Sequence, residues 1–503
     1  MLGVVRGAMA PPSVWRGAWH SVRRAGAWRA YASGHGLEPM PLPCVDQHEL
    51  RERQLRAERQ QGVPPQNEST QPALGMGPEP AYQKVVSGYK TFRYPHRYAL
   101  DYGGALPGFQ IAYETWGTLN EARDNAILLH TGLSASSHAA STPSNPAKGW
   151  WEDFIGPGKA LDTNRFFVIC TNVLGSCFGS TGPSSVCPVL GEPYATRFPI
   201  LSIFDMVRAQ FLLLDDLGID RLYASIGSSM GGMQSIAATH LFPERVQRMA
   251  SISGTARSSP SGIALRYSQR SVLMADPNWN RGFYYGPDQM PPHTGMKLAR
   301  QIATITYRSG PEWEQRFGRM RRTLNRDLAV AEARVPALCP DFLVETYLDH
   351  QGEQFCLKYD ANSLIYISKS MDLFDMSDDA LAQLGETRML AHGDDGRLPI
   401  PADEDGVEEG GAPFASDKRH RKHITTISNP GAHHYVPSLA RGLSRLRRTP
   451  SLIIGVQSDI LFPVEQQREL AECLRMNGNA SVMYYEMDAP HGHDSFLYVF
   501  FFR

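Results

Sequence analysis

Ser229 stands in Gly227-Ser228-Ser229-Met230-Gly231-Gly232, between the apolar run Leu222–Ile226 and the helical stretch Met230–His240. A serine hydroxyl is a poor nucleophile until a neighbouring base takes its proton. It must also stand clear of the sheet. A tight strand-to-helix turn achieves this, and glycines two residues before and two after relieve the crowding. The new helix turns its N-terminal N–H groups and positive dipole end toward the same spot. The N–H of Met230 can then face the oxyanion of a tetrahedral intermediate. Ser228 holds the second motif position, where packing beside the turn is the expected role.

Such a serine needs an acid and a histidine. Asp459 follows the apolar run Leu452–Val456, which puts its carboxylate at the C-terminal end of a strand. His493 lies in His491-Gly492-His493-Asp494, just after the last expected strand. A loop there can carry an imidazole over Ser229. His491 and Asp494 are the competing residues, and Asp494 adjoins His493 too closely to reach its Nδ1 easily. The order Ser…Asp…His is the one used by α/β-hydrolases. A second oxyanion donor is expected after the strand ending at His130, in Thr131-Gly132-Leu133-Ser134, from the N–H of Gly132 or Leu133.

Positioning these residues requires a parallel sheet. Short apolar runs alternate with helical patterns, and strands are expected at Gln110–Thr115, Ala126–His130, Phe166–Thr171, Leu222–Ile226, Arg248–Ile252, Ser451–Val456 and Val482–Met487. Ser202 and Asp205 form a capping box ahead of Val207, Phe211, Leu214 and Leu217, and Gly218 stops that helix. The class is α/β: an α/β-hydrolase fold with a mostly parallel central sheet and a helical cap inserted between strands. The core is expected at 89–254 and 448–503, the cap at 255–389, and a disordered insertion at 390–447, where an acidic run precedes a basic one.

Residues 1–33 carry Arg6, Arg16, Arg23, Arg24 and Arg29 and no acid, with Trp15, Trp19 and Val22 on one helical face. This reads as a mitochondrial presequence cleaved near Tyr31, with a cytoplasmic location as the alternative. Residues 34–88, rich in Pro, Gln, Glu and Arg, read as a disordered linker.

Fifty basic and fifty-one acidic residues leave a net charge of -1, without the basic face of a nucleic-acid binder. No apolar run reaches the roughly 18 residues of a membrane span. The seven cysteines contain no C-x-x-C pair, which suits free thiols in a reducing compartment. His433-His434 lacks the carboxylates or cysteines of a metal site, so no metal is expected.

Gly227–Gln234 together with Gly492-His493-Asp494-Ser495-Phe496-Leu497 resembles the homoserine O-acetyltransferase family, of α/β-hydrolase fold. The resemblance runs from about Tyr94 to Phe500 and includes Gln269-Arg270, Ile305-Thr306-Tyr307-Arg308 and Tyr359-Asp360-Ala361-Asn362-Ser363. It implies a ping-pong transfer through an acyl-serine, with acyl-CoA as co-substrate and no bound cofactor. It further implies that Arg270 holds the substrate carboxylate and Asp494 its amino group. The oxyanion loop departs from the His-Ala-Leu-Thr-Gly usual in that family. With Ser253–Pro260 and Asp276–Asn280, it is closer to the fungal mitochondrial serine O-acetyltransferase branch. The expected reaction is therefore acetyl transfer from acetyl-CoA to L-serine for cysteine synthesis. Homoserine as acceptor, succinyl-CoA as donor and, more distantly, ester hydrolysis are the alternatives. Acetyl is preferred because no basic residue stands out for a succinyl carboxylate. Partners are expected to be these small molecules, with no nucleic acid or membrane, and with a homodimer left open.

Overall fold

The computed structural model describes residues 86–286, 289–321, 340–392 and 435–498, with Leu50, Arg53, Ala57 and Leu338. The presequence, nearly all of the linker, and residues 393–434 of the expected insertion lie outside the described residues, as does His433-His434.

Eight strands form one sheet: β1 (Lys90–Tyr94), β2 (Phe109–Trp116), β3 (Ala126–His130), β4 (Phe167–Thr171), β5 (Ala224–Ser228), β6 (Met249–Ile252), β7 (Ser451–Val456) and β8 (Val482–Met487). Their spatial order is β1-β2-β4-β3-β5-β6-β7-β8. The first two pairings, β1 with β2 and β2 with β4, are antiparallel; every other one is parallel. The sequence reading lacked β1. Its run Lys-Thr-Phe-Arg-Tyr is mostly exposed, as suits an edge strand without a continuous apolar signal.

The central strands are apolar on both sides because both faces are covered. Leu128 and Ile169 enter one core cluster, while Ile127, Leu129, Val168 and Cys170 enter another. That alternation is the pleat of β3 and β4. Helices α1 (Ile203–Asp216) and α2 (Met230–Leu241) pack with the first cluster, and Trp151, Ile155 and Leu161 close the second. At the start of α1, Ser202 Oγ accepts from the Asp205 N–H at 2.9 Å, and Asp205 Oδ2 accepts from the Ser202 N–H at 2.8 Å.

After β6 the described chain is helical: α3 (Pro260–Met274), α4 (His293–Tyr307), α5 (Gly310–Arg316), α6 (Leu343–Cys356), α7 (Ala361–Asp372) and α8 (Asp378–His392). Helix α4 packs on α3 and α6, and α3 on α7. The segment expected to be disordered at 390–447 requires a correction at its far end. Tyr435–Gly442 is a helix, α9, and Leu439, Ala440, Leu443 and Leu446 join the main core. Val436, Leu439, Ala440 and Leu443 keep helical spacing, which the preceding charge runs obscured. The chain closes with α10 (Val464–Met476) and the short α11 (Ser495–Tyr498).

Among the described residues, Cys170, Cys177, Cys187, Cys356 and Cys473 are free, no helix is long and apolar enough to cross a membrane, and no cluster suits a metal ion.

Ser202→Ala removes the α1 cap and is expected to lower stability by about 1–2 kcal/mol. A shifted urea midpoint with an unchanged slope reports it; an unchanged midpoint contradicts the capping role.

Candidate active site

Ser229 lies between β5 and α2, capping the helix with φ 59° and ψ -124°. Few residues other than glycine hold a positive φ, so the turn must be fixed by its surroundings. Two observations show how. The Ser229 N–H donates to the Ile252 carbonyl at 2.9 Å, and the Ser229 carbonyl accepts from Gly232 at 2.9 Å. The glycines are sterically required: a Cβ on Gly227 would lie 2.2 Å from the Gly231 carbonyl group, and one on Gly231 would lie 2.4 Å from the His130 oxygen. Met230 is the first helical residue, so its N–H has no acceptor within the helix.

His493 is buried in the short turn Gly492–Asp494. A Cβ on Gly492, at φ +66°, would meet Tyr307 and Ser309 backbone atoms at 2.8 Å, so only glycine lets this loop sit against α4 and α5. His493 Nδ1 lies 2.6 Å from Asp459 Oδ2. The carboxylate can only accept, so Nδ1 carries the proton. Asp459 Oδ1 in turn accepts from the N–H groups of Leu461 and Phe462, both at 2.9 Å. Phe462 stacks on the imidazole with centroids 5.0 Å apart. His493 Nε2 is buried without a hydrogen-bond partner. Ser229 and His493 line one cavity of about 320 Å³. Burial works against the imidazolium, but the Asp459 charge and hydrogen bond, with Asp494 behind them, outweigh it and raise the His493 pKa.

The competitors are set aside by position. His491 is partly exposed, with Nδ1 4.0 Å from Glu312 Oε2, and is not on the cavity wall. Asp494 is on that wall but does not contact the His493 Nδ1, which Asp459 occupies. Burial raises the Asp494 pKa, against the pull of His493, Arg308 and Arg300.

Gly132, Leu133 and Ser134 line the cavity beside Ser229. Gln234 of α2 donates to the Thr131 carbonyl at 2.9 Å and accepts from Gln210 at 2.9 Å. His130 is fully buried beneath them; burial lowers its pKa to about 3 and keeps it neutral.

Arg270 is not where the sequence reading put it. Its guanidinium is buried against Asp372 and Ser368, and it is not on the cavity wall. Two other arginines are there, Arg266 and Arg300. Arg266 is one helical turn before Arg270 on α3, and its Nε lies 2.6 Å from Asp372 Oδ1. Two guanidinium groups thus share one carboxylate. Burial lowers the Arg266 pKa, Arg270 lowers it further, and Asp372 opposes both. Arg300, on α4, stands over the rings of Phe355 (4.4 Å) and Tyr307 (5.1 Å), and its Nε is buried without a partner. The sequence did carry a signal for it. Arg300 falls on the face of α4 that holds Met296, Ala303 and Thr304, a charge in an otherwise weakly polar stripe.

A profile for the α/β hydrolase fold matches residues 125–498. The chain belongs to the α/β-hydrolase fold family, as an acyltransferase. It is 54% identical over 484 residues to a serine O-succinyltransferase of Schizosaccharomyces pombe, covering 94% of each chain. It is 51% identical over 512 residues to a serine O-succinyltransferase of Emericella nidulans, covering 98% of this chain and 92% of that one. Among solved structures it resembles a homoserine O-acetyltransferase from Bacillus anthracis, with TM-score 0.62 and 26% identity, covering 82% of this chain and 93% of that one. The family resemblance read from the elbow and the histidine loop therefore holds in both sequence and fold.

The raised His493 pKa gives a pH prediction. A general base must be neutral, so if His493 serves as one, the rate of acyl transfer should fall as pH drops through a midpoint above the usual ~6.5 of histidine. Asp459→Asn removes the charge that raises the pKa and leaves the burial that lowers it. Its acid limb should move to lower pH, with turnover reduced by up to about 10⁴-fold. An unmoved limb in a single-turnover pH profile contradicts the pairing.

Proposed function

We propose that this protein transfers a succinyl group from succinyl-CoA to the hydroxyl of L-serine through an ester on Ser229. The observation that carries the reading is the set of charged groups on the wall around the nucleophile: Arg266, Arg300 and Asp494. An esterase of simple acyl groups has no use for them. A zwitterionic acceptor and an anionic acyl group need two cationic sites and one anionic site.

His493 Nε2 takes the Ser229 Oγ proton as Oγ attacks the thioester carbonyl. The N–H groups of Met230 and of Gly132 or Leu133 hold the oxyanion. The thiolate of CoA leaves with the proton from His493. The acceptor hydroxyl then gives its proton to His493 and attacks the ester, and His493 returns that proton to Ser229 Oγ as the ester bond breaks and the acylated acceptor leaves. Asp459 keeps the imidazole in the right tautomer and stabilises its cation throughout.

Asp494 keeps the role expected for it, holding the acceptor ammonium. Arg300 takes the carboxylate role first assigned to Arg270, because Arg300 faces the cavity and has an unpaired Nε–H. Arg266 suits the distal succinyl carboxylate. The Arg266–Arg270–Asp372 group carries one positive charge in excess, and a buried charge of that kind is stabilised by an anion. The acetyl preference rested on the lack of such a residue. The relatives named as serine O-succinyltransferases point the same way, and their acceptor supports serine over homoserine.

Steady-state kinetics with acetyl- or succinyl-CoA against serine or homoserine test this. Succinyl-CoA with serine is expected to give the highest kcat/KM; a higher value for acetyl-CoA overturns the donor, and one for homoserine the acceptor. Arg266→Ala should lower kcat/KM for succinyl-CoA about 10–100-fold while sparing acetyl-CoA, and Arg300→Ala should raise the serine KM by a similar factor. Equal losses with both donors remove Arg266 from donor recognition.

Import into the mitochondrial matrix is proposed from the acid-free, arginine-rich first 33 residues. N-terminal sequencing of the native protein should begin near Tyr31. A cytosolic protein beginning at Met1 or Leu2 contradicts it.

A further inference from the structure

We infer that Tyr359, a cap residue outside the cavity, is a positioning residue for the oxyanion loop; the inference rests on the acyl-serine reading above. The loop Thr131-Gly132-Leu133-Ser134 contains no bulky anchor except Leu133, and a hole of backbone donors stabilises charge only if the peptides are oriented beforehand. Each of its first three carbonyls is engaged. Thr131 O accepts from Gln234 Nε2 at 2.9 Å, Gly132 O from the Ala135 N–H at 3.4 Å, and Leu133 O from the Tyr359 hydroxyl at 2.7 Å. In a trans peptide the N–H points opposite to the carbonyl. Holding these three carbonyls therefore aims the N–H groups of Gly132, Leu133 and Ser134 away from the three acceptor contacts. All three residues line the cavity.

The three contacts differ in origin. Gln234 belongs to the helix that Ser229 opens, and Ala135 belongs to the loop itself. Tyr359 comes from the cap, 226 residues away in sequence. Its ring is buried, stacked on Phe355 at 5.3 Å and edge-on to Phe178 at 5.4 Å. Burial pushes its pKa well above the usual tyrosine value, so the phenol keeps its proton and donates. The cap thereby acts on the site without touching substrate: it holds the Leu133–Ser134 peptide, which directly follows the Gly132 and Leu133 N–H groups assigned to the oxyanion, and so pins the loop from its far side.

Tyr359→Phe removes the donor and keeps the ring. Rapid mixing with succinyl-CoA alone should show CoA release, the acylation half-reaction, slowed at least about 10-fold. Removing an oxyanion donor outright costs about 10²–10³-fold, so the loss of aim alone should fall below that. The KM values for donor and acceptor should stay within about 2-fold, and the acid limb of the pH profile should not move. Phe178→Leu loosens the same aromatic group but leaves the hydroxyl; it should lower Tm and leave acylation within about 3-fold. If Tyr359→Phe acylates at the wild-type rate, or if Phe178→Leu slows acylation as much as Tyr359→Phe does, the positioning role is overturned. Failure of the wild-type protein to release CoA in a burst would instead overturn the acyl-serine reading.

Discussion

The site depends on one strained residue. Ser229 holds φ 59° and ψ -124°, a conformation that costs on the order of 1–3 kcal/mol and persists only when its neighbours over-determine it. β6 supplies the acceptor for its N–H, α2 begins on its carbonyl, and Gly227, Gly231 and the end of β3 close to distances that no side chain could share. That arrangement needs β3, β5 and β6 side by side and parallel. The sheet order and the buried alternation of β3 and β4 are thus conditions for placing Ser229 on the cavity wall, with the helix N-terminus behind it. Glycine is fixed at Gly492 for a similar reason, since it lets the histidine loop lie on the backbone of Tyr307–Ser309.

Around that nucleophile the two parts of the chain divide the work. The sheet brings Ser229, Asp459 and His493 and the N–H of Met230. The helices after β6 bring to the cavity wall the charges to which the proposed reaction assigns substrate recognition, Arg266 on α3 and Arg300 on α4, while Asp494 comes from the loop that carries His493. The Asp459 carboxylate accepts two backbone N–H groups as well as the imidazole, so it stays aimed while the imidazole exchanges protons. The unpaired Nε of His493 and the unpaired Nε of Arg300 are both buried. Each is a donor or acceptor waiting for a partner that substrate can supply.

Much of this could be read from the chain because the signals are local. The strand–Gly-x-Ser-x-Gly–helix unit, the capping box at Ser202, and the strand ends at His130 and Asp459 each lie within a few residues. What escaped was set by distant packing. Arg266 and Arg270 share one face of α3 and both pair with Asp372, about a hundred residues on, yet only Arg266 reaches the cavity wall, which no local pattern shows. Strand β1 hid because an edge strand needs little apolar content. Helix α9 hid behind a charged run whose composition dominates the window. Tyr359 lay in a segment quoted for its family likeness, yet nothing near it in sequence reveals that its hydroxyl meets Leu133.

The central claim is that the acyl group rests on Ser229 between donor and acceptor. Intact-mass and peptide analysis after mixing the protein with succinyl-CoA alone tests it most directly. The account predicts a succinyl adduct that maps to Ser229 and disappears on adding L-serine, with O-succinylserine formed in equal amount. An adduct on any other residue, or full turnover with no adduct at short times, would contradict it.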